Sequence, residues 1–255
     1  MIHIKSQKEI TAIEYAGRIL AQAFEKLIPI AKEGISTKEL DAEAEEFIRK
    51  KGARPAFKGY RGFPASVCTS INEEIVHGIP SDRRLKNGDL ISIDLGVEKD
   101  GFFADAALTL GVGKIRKAAH NLIKIAQLSL LNGIAKARPG ERISDISHSI
   151  EQTAHRGNFS VIREYVGHGI GTELHEEPPV PNYGKPHRGP RIKKGMVLAI
   201  EPMLCVGSWK TEVLKDGWTV VTKDRKLSVH FEHTVAVTDS GPRILTLWKK
   251  KNLLQ

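Results

Sequence analysis

One stretch of this chain occurs twice. The run Leu85-Lys86-Asn87-Gly88-Asp89-Leu90-Ile91-Ser92-Ile93-Asp94 aligns without a gap on Ile192-Lys193-Lys194-Gly195-Met196-Val197-Leu198-Ala199-Ile200-Glu201. Both runs pass from a turn through glycine into an apolar strand that ends on an acid. Upstream, Val76-His77-Gly78-Ile79 matches Gly167-His168-Gly169-Ile170. The spacing is far longer than a solenoid repeat, so it calls for two homologous halves, residues 5–113 and 114–247, packed about a pseudo-two-fold axis. Matching acids then converge on that axis. With 255 residues and 40% hydrophobic content, the chain can bury a substantial core as one domain, 1–255, of two related halves.

Each copy continues into a hairpin. In the first, strands over residues 90–97 and 102–110 meet at Glu98-Lys99-Asp100-Gly101, where Asp-Gly is a strong turn signal. A turn centred on Lys99-Asp100 sets Asp94 directly opposite Asp105, with Cβ atoms roughly 5 Å apart. Two carboxylates at that distance repel unless they share a proton or hold a cation; the plain alternative is two solvated acids on an exposed face. In the second copy the chain runs from Glu201 to a turn at Asp216-Gly217 and returns through Phe231-Glu232-His233, which sets Glu232 opposite Glu201.

Helices precede each hairpin. Ser6-Gln7-Lys8-Glu9 and Ser36-Thr37-Lys38-Glu39 are capping boxes; Ile10, Ile13, Ala16, Leu20, Phe24 and Leu27 form the apolar stripe of one helix, and Leu40, Ala44, Phe47 and Ile48 that of the next. In the second half, helices are expected over residues 116–137 and 144–156, ending near Gly140 and Gly157. Residues 178–190 are proline-rich and are assigned no chemistry.

Composition narrows the partners. The formal charge of +9 is spread along the chain except at residues 188–194 and at Lys249-Lys250-Lys251, which reads as a solvated surface with nonspecific nucleic-acid affinity at most. Cys68 and Cys205 are too few for a disulfide framework or a thiolate zinc site and favour a cytoplasmic location. The opening residues lack a signal-peptide apolar core, and no stretch approaches a membrane span.

Five ligand-type residues are thus brought together: Asp94, Asp105, His168, Glu201 and Glu232. Four carboxylates and an imidazole exceed one tetrahedral zinc, and they suit two divalent ions about 3.5–4 Å apart that share bridging carboxylates. A single structural Ca²⁺ or Mg²⁺ is the alternative, but hard cations rarely recruit histidine, and His77 and His175 stand nearby in sequence. The glycines and aromatics of residues 57–64 either fill space or line an apolar pocket.

Residues 59–80, 88–113, 165–179, 195–203 and 216–246 together resemble the type I methionine aminopeptidases of bacteria and organelles. The resemblance spans nearly the whole chain. It implies the α+β pita-bread fold, two pseudo-two-fold-related halves of curved antiparallel sheet backed by helices. It also implies a metal-dependent exopeptidase that removes the N-terminal methionine from nascent proteins when the second residue is small, using a water bridged between two metals. Asp94, Asp105 and Glu232 would hold one ion, and Asp105, His168, Glu201 and Glu232 the other. Co, Mn, Fe and Zn are all compatible with such ligands. Glu201 would act as general base, His175 would meet the scissile carbonyl, and His77 would contact the second residue's backbone. The methionine side chain would enter a pocket of Tyr60, Phe63, Cys68, Leu174 and Trp218, in which Leu174 and Phe63 depart from the commoner Phe and Tyr.

The same resemblance implies action on nascent N-termini; monomer is the default for such a chain, and the surplus positive charge is expected to favour transient ribosome association in the cytoplasm, with no specific nucleic acid and no membrane. Xaa-Pro aminopeptidases and prolidases share fold and metals but usually carry an additional N-terminal domain. Non-catalytic binding proteins of this fold have lost ligands that this chain keeps.

Overall fold

The computed structural model describes residues 1–248. Each half opens with a helical pair, α1 (Gln7–Leu27) with α2 (Thr37–Lys50), then α3 (Lys117–Ala135) with α4 (Ile143–Arg156). The strands of the first half are β1 (Arg54–Pro55), β2 (Cys68–Ile71), β3 (Glu74–Val76), β4 (Leu90–Lys99) and β5 (Phe102–Gly111). Those of the second are β6 (Ser160–Val161), β7 (Gly167–Gly169), β8 (Glu176–Val180), β9 (Val197–Ile200), β10 (Met203–Cys205), β11 (Thr211–Val213), β12 (Val220–Thr222), β13 (Ser228–His230), β14 (His233–Thr238) and β15 (Gly241–Ile244). A four-stranded sheet has β4 at its centre, with β5 on one side and β1 and β2 on the other. A five-stranded sheet runs β15-β14-β9-β7-β8, and two small sheets, β13-β10-β6 and β11-β12-β3, join them. All of these pairings are antiparallel. This is the mixed α and β pita-bread architecture. Among the described residues, no helix is long and apolar enough to cross a membrane.

Local signals account for the helices. Ser6 and Ser36 cap α1 and α2, each accepting from the backbone of the glutamate three residues on, while that glutamate's carboxylate returns to the cap backbone. Such a cap contributes about 1 kcal/mol and fixes where the helix begins. The apolar stripe of α1, with Ile13, Leu20, Phe24 and Leu27 fully buried, lies against β4 and β5. Phe47 is only partly buried, its ring covered by the ammonium groups of Lys26 and Lys51.

The doubled run takes the same backbone role twice. Leu85 accepts from Gly34 and donates to Ile35, as Ile192 accepts from Gly140 and donates to Glu141. Gly88 donates to Val112 as Gly195 donates to Val237, and both glycines adopt positive φ, +95° and +86°. At these two positions a side chain would be strained.

The two hairpins differ in how they meet expectation. In the first, Lys99 pairs with Phe102, so Asp100 and Gly101 alone form the loop, at φ +53° and +83°. That is the left-handed pair a two-residue I′ turn demands, and glycine at its second position is what permits it. The register is therefore two residues away from the expected one: Asp94 faces Ala107, and Asp105 faces Gly96. The two acids are diagonal neighbours on one face, not directly opposed, since residues two apart share a face. In the second hairpin the expected register holds from Ile200↔His233 through Met203↔His230 to Val213↔Val220. Glu201 and Glu232 fall one step past Ile200 and His233, in the gaps between β9 and β10 and between β13 and β14.

Candidate metal centre

The two hairpins are stitched face to face by hydroxyls. Thr234 accepts from the Asp105 amide (2.9 Å) and donates to the Asp105 carbonyl (2.7 Å). Thr109 does the same for His230, at 2.9 Å each way, and the Glu232 amide donates to the Ala107 carbonyl at 2.9 Å. These bonds bring acids from distant segments into one buried space. Ligand atoms of Asp105, His168 and Glu232 lie within 4.8 Å of one another. His168 Nε2 is 3.6 Å from Glu201 Oε1 and 4.0 Å from Asp105 Oδ2, and Asp94 is the diagonal neighbour of Asp105 across the ladder. Asp105 is 4% exposed and Glu232 2%.

Such crowding is unfavourable without a cation. Burial and mutual repulsion push Asp105 and Glu232 far above the usual carboxylate range, and burial carries Asp94 and Glu201 up to about 7. Asp94 Oδ1, Asp105 Oδ1 and Glu232 Oε1 are buried with no hydrogen-bond partner among the described residues. Buried polar atoms are normally satisfied, so these orphaned oxygens point to something absent. The histidine is prepared as well: Nδ1 of His168 is 2.9 Å from the Gly169 carbonyl, which accepts its proton and leaves the Nε2 lone pair turned to Asp105 and Glu201. Hard carboxylates with one imidazole are the donor set of a divalent transition-metal centre. The residues fit the metal ions that the sequence implies.

Over the acids opens a cavity of about 200 Å³. Its lining contains every site residue singled out in the sequence: Tyr60, Phe63, Cys68, His77, Asp94, Asp105, His168, Leu174, His175, Glu201, Trp218 and Glu232. Phe63 meets Trp218 edge-on at 5.2 Å between ring centres, and Cys68 pairs with Asp94 across the ladder. Burial pushes the Cys68 thiol up, so it is a neutral wall group and not a thiolate. Gly96 makes room here, because a Cβ would come within 2.8 Å of the Phe57 ring that also lines the cavity.

Two imidazoles border the space. His77 has left-handed backbone, φ +59°, and turns its ring edge-on to Tyr165 and Trp218. His175 stacks on Tyr60, with Nδ1 2.9 Å from the phenol oxygen, and its ring centre is 4.2 Å from that of His168. Desolvation pushes His77 down to about 4 and, with His168 beside it, His175 down to about 3, so both are neutral near pH 7.

The structure adds residues that the sequence reading passed over. His230 is fully buried, with Nε2 3.5 Å from Glu201 Oε2 and neither ring nitrogen hydrogen-bonded among the described residues. It stands two before Glu232, so the period of an extended chain would have placed the two on one face. Asn182 is fully buried and donates to the Glu201 carbonyl at 3.0 Å. It lies in the segment assigned no chemistry, and nothing local marks it. Phe57, Arg61, Val76, Tyr165 and Val166 complete the cavity wall.

A model of metallopeptidase family M24 matches residues 11–239. Methionine aminopeptidase 1 of Bacillus subtilis (strain 168) is 53% identical over 246 residues, 96% of this chain and 99% of that protein. Methionine aminopeptidase of Clostridium perfringens (strain 13 / Type A) is 52% identical over 249 residues, 98% of this chain and 100% of that protein. Among solved structures, methionine aminopeptidase from Rickettsia prowazekii superposes with a TM-score of 0.95 at 40% identity, covering 97% of this chain and 100% of that one. Prolidase from Pyrococcus horikoshii OT3 reaches 0.78 at 26% identity, with 97% of this chain covering 64% of that one.

Proposed function

The chain belongs to metallopeptidase family M24, and from that premise we propose how its residues remove the N-terminal methionine of a polypeptide by metal-dependent hydrolysis. One observation carries the reading: orphaned carboxylate oxygens converge with one prepared imidazole on the floor of a cavity walled by Phe63, Cys68, Leu174 and Trp218. The floor supplies hydrolytic chemistry, and the wall supplies selectivity for an unbranched thioether.

Asp94, Asp105 and Glu232 would hold one divalent ion, and Asp105, His168, Glu201 and Glu232 would hold a second, drawn from Co, Mn, Fe or Zn. When bound, the two ions supply Lewis acidity toward the scissile carbonyl and a water acidic enough to attack at neutral pH. Glu201 takes the proton from the attacking water and returns it to the departing amine. His175 is neutral. Its Nδ1 is 2.9 Å from the Tyr60 hydroxyl, and with that hydroxyl as donor the ring proton sits on Nε2, where it would meet the carbonyl oxygen as negative charge develops. His77 contacts the backbone of the second residue, and the small cavity that both imidazoles line limits that residue to a small side chain. The whole chain acts as one catalytic domain.

The enzyme works as a cytoplasmic monomer on nascent N-termini. Its two free, buried cysteines suit a reducing compartment. A net charge of +9 favours transient association with ribosomal RNA. The cluster Lys249-Lys250-Lys251 lies outside the described residues; charge reversal there that leaves ribosome cosedimentation unchanged would remove it from that role.

The decisive test is release of methionine from a Met-Ala-Ser peptide by metal-stripped protein before and after addition of Mn²⁺ or Co²⁺, beside Glu201→Ala. Release that requires metal and vanishes in the variant is expected. Release of proline from a proline-containing dipeptide, with no methionine from Met-Ala-Ser, would move the chain to the Xaa-Pro specificity, and metal binding with no turnover of either substrate would sink the enzymatic assignment.

A further inference from the structure

A buried ion pair sits immediately behind the oxyanion-side imidazole. Lys5 and Glu176 lie 171 residues apart in sequence, yet the Lys5 ammonium donates to Glu176 Oε2 with both side chains shut from solvent, 4% and 7% exposed. Glu176 directly follows His175 and is the first residue of β8. Its other oxygen, Oε1, accepts from the Thr172 amide at 2.8 Å and the Glu173 amide at 3.3 Å, which closes the loop between β7 and β8 around a single carboxylate. Lys5 is itself fixed, its amide donating to the Gly195 carbonyl at 2.7 Å. The packing leaves no slack, since a Cβ on Gly171 would lie 2.4 Å from Lys5 Cε and 2.7 Å from Glu176 Oε1.

A buried pair of this kind contributes little net stability over an apolar replacement, so its presence needs another reason. Among the described residues, the side-chain hydrogen bonds of the pair go to His3, Thr172, Glu173 and each other, and none to the five proposed ligands. What the pair does touch is the segment that presents His175, which must hold its donor within a few tenths of an ångström of a developing oxyanion to be worth its full effect. We propose that Lys5 and Glu176 are positioning residues that lock the His175 loop, so that the segment ahead of α1 acts as a tether for the donor that meets the substrate carbonyl. The inference rests on the assignment of His175 to that carbonyl. The pair contributes nothing to substrate affinity.

Four enzymes test this: wild type, Glu176→Ala, His175→Ala and the double variant, assayed for kcat and KM on a Met-Ala-Ser peptide at saturating Mn²⁺, with Mn²⁺ affinity measured by calorimetry. Glu176→Ala is expected to lower kcat roughly 30-fold, with KM and Mn²⁺ affinity moved less than about threefold. In the His175→Ala background the same change should cost less than about threefold, because the donor it positions is gone. A loss of equal size in both backgrounds, or a change confined to KM, overturns the proposal. Should Glu176→Ala fail to fold, Lys5→Met removes only the cation and must show the same dependence on His175. A wild type that releases no methionine defeats the underlying assignment instead, and a His175→Ala enzyme with unchanged kcat defeats the role of His175 before that of the pair.

Discussion

The two acidic hairpins start from matching sequences and end in different states. In the first, β4 and β5 pair without interruption from Leu90↔Gly111 to Lys99↔Phe102, and a two-residue turn sets every side chain's face. In the second, the ladder breaks on both strands, at Glu201-Pro202 and at Phe231-Glu232, before resuming in a separate sheet. Pro202 has no amide to donate and so suits such a gap. Asp94 is thus aimed by register, and Asp105 by register together with the Thr234 hydroxyl on its backbone. Glu201 and Glu232 are aimed by bonds reaching in from elsewhere, Asn182 to the Glu201 carbonyl and Glu232 to Ala107. A regular ladder places ligands locally, whereas an interrupted one makes them depend on distant residues.

The largest effect expected is one that ignores this difference. Glu232→Ala and Asp105→Ala should each cut methionine release about 10³-fold or more and abolish tight divalent-ion binding in calorimetry, since each would remove a ligand proposed for both ions. If either variant keeps wild-type metal affinity, the shared-ligand assignment fails. Supports should then separate the two hairpins. Asn182→Ala, behind Glu201, should lower kcat or metal affinity by roughly 10–100-fold. Ser92→Ala removes a buried hydroxyl contact to Thr109 (2.8 Å) inside the regular ladder, and should leave kcat within about threefold while costing about 1 kcal/mol in denaturant unfolding. Equal losses of kcat would break the comparison.

The pH dependence of metal-free protein probes the cluster as a whole. Asp94 and Glu201 are raised to about 7 in the folded state, from ordinary values near 4, and Asp105 and Glu232 are raised further. Between those limits the folded protein holds more protons than the unfolded chain, so stability is greatest at the acid end of the window and falls as pH rises through about 7. Melting of the stripped protein should therefore drop by roughly 5 °C or more from pH 5.5 to pH 8, while protein loaded with Mn²⁺ shows no such drop. A flat profile without metal would contradict the electrostatic account.

Smaller effects sharpen the remaining links. Thr234→Val deletes the two bonds that join the hairpins at Asp105, and should destabilise by about 1–3 kcal/mol with a modest loss of kcat. Leu174→Phe puts a bulkier side chain on the apolar wall of the cavity without altering a ligand-type residue. It should shift KM for a methionine peptide by less than about tenfold and leave kcat within about twofold, measured beside a norleucine analogue.

Much of this was legible before folding because its causes are short-range. Capping boxes at Ser6 and Ser36 are four-residue signals, and the structure starts α1 and α2 there. The doubled run carries its glycines into matching positive-φ turns. The expected register centres the turn on Lys99-Asp100, whereas the positive φ of Asp100 and Gly101 sets it one residue later, where the Asp-Gly pair meets the demand of a I′ turn. The segment after Pro178 yielded no signal at all, although it delivers Asn182 to the back of Glu201.

The chain's own pattern determined the chemistry: which carboxylates, which imidazoles and which apolar walls are available, because residue type and strand periodicity are local properties. Tertiary structure alone decided what supports them. The hydroxyls of Thr109 and Thr234, the ring of His230, the amide of Asn182 and the Lys5–Glu176 pair act across long sequence separations. A polar group becomes a support only once burial strips its water and leaves a single partner within reach, and no local spacing records that event.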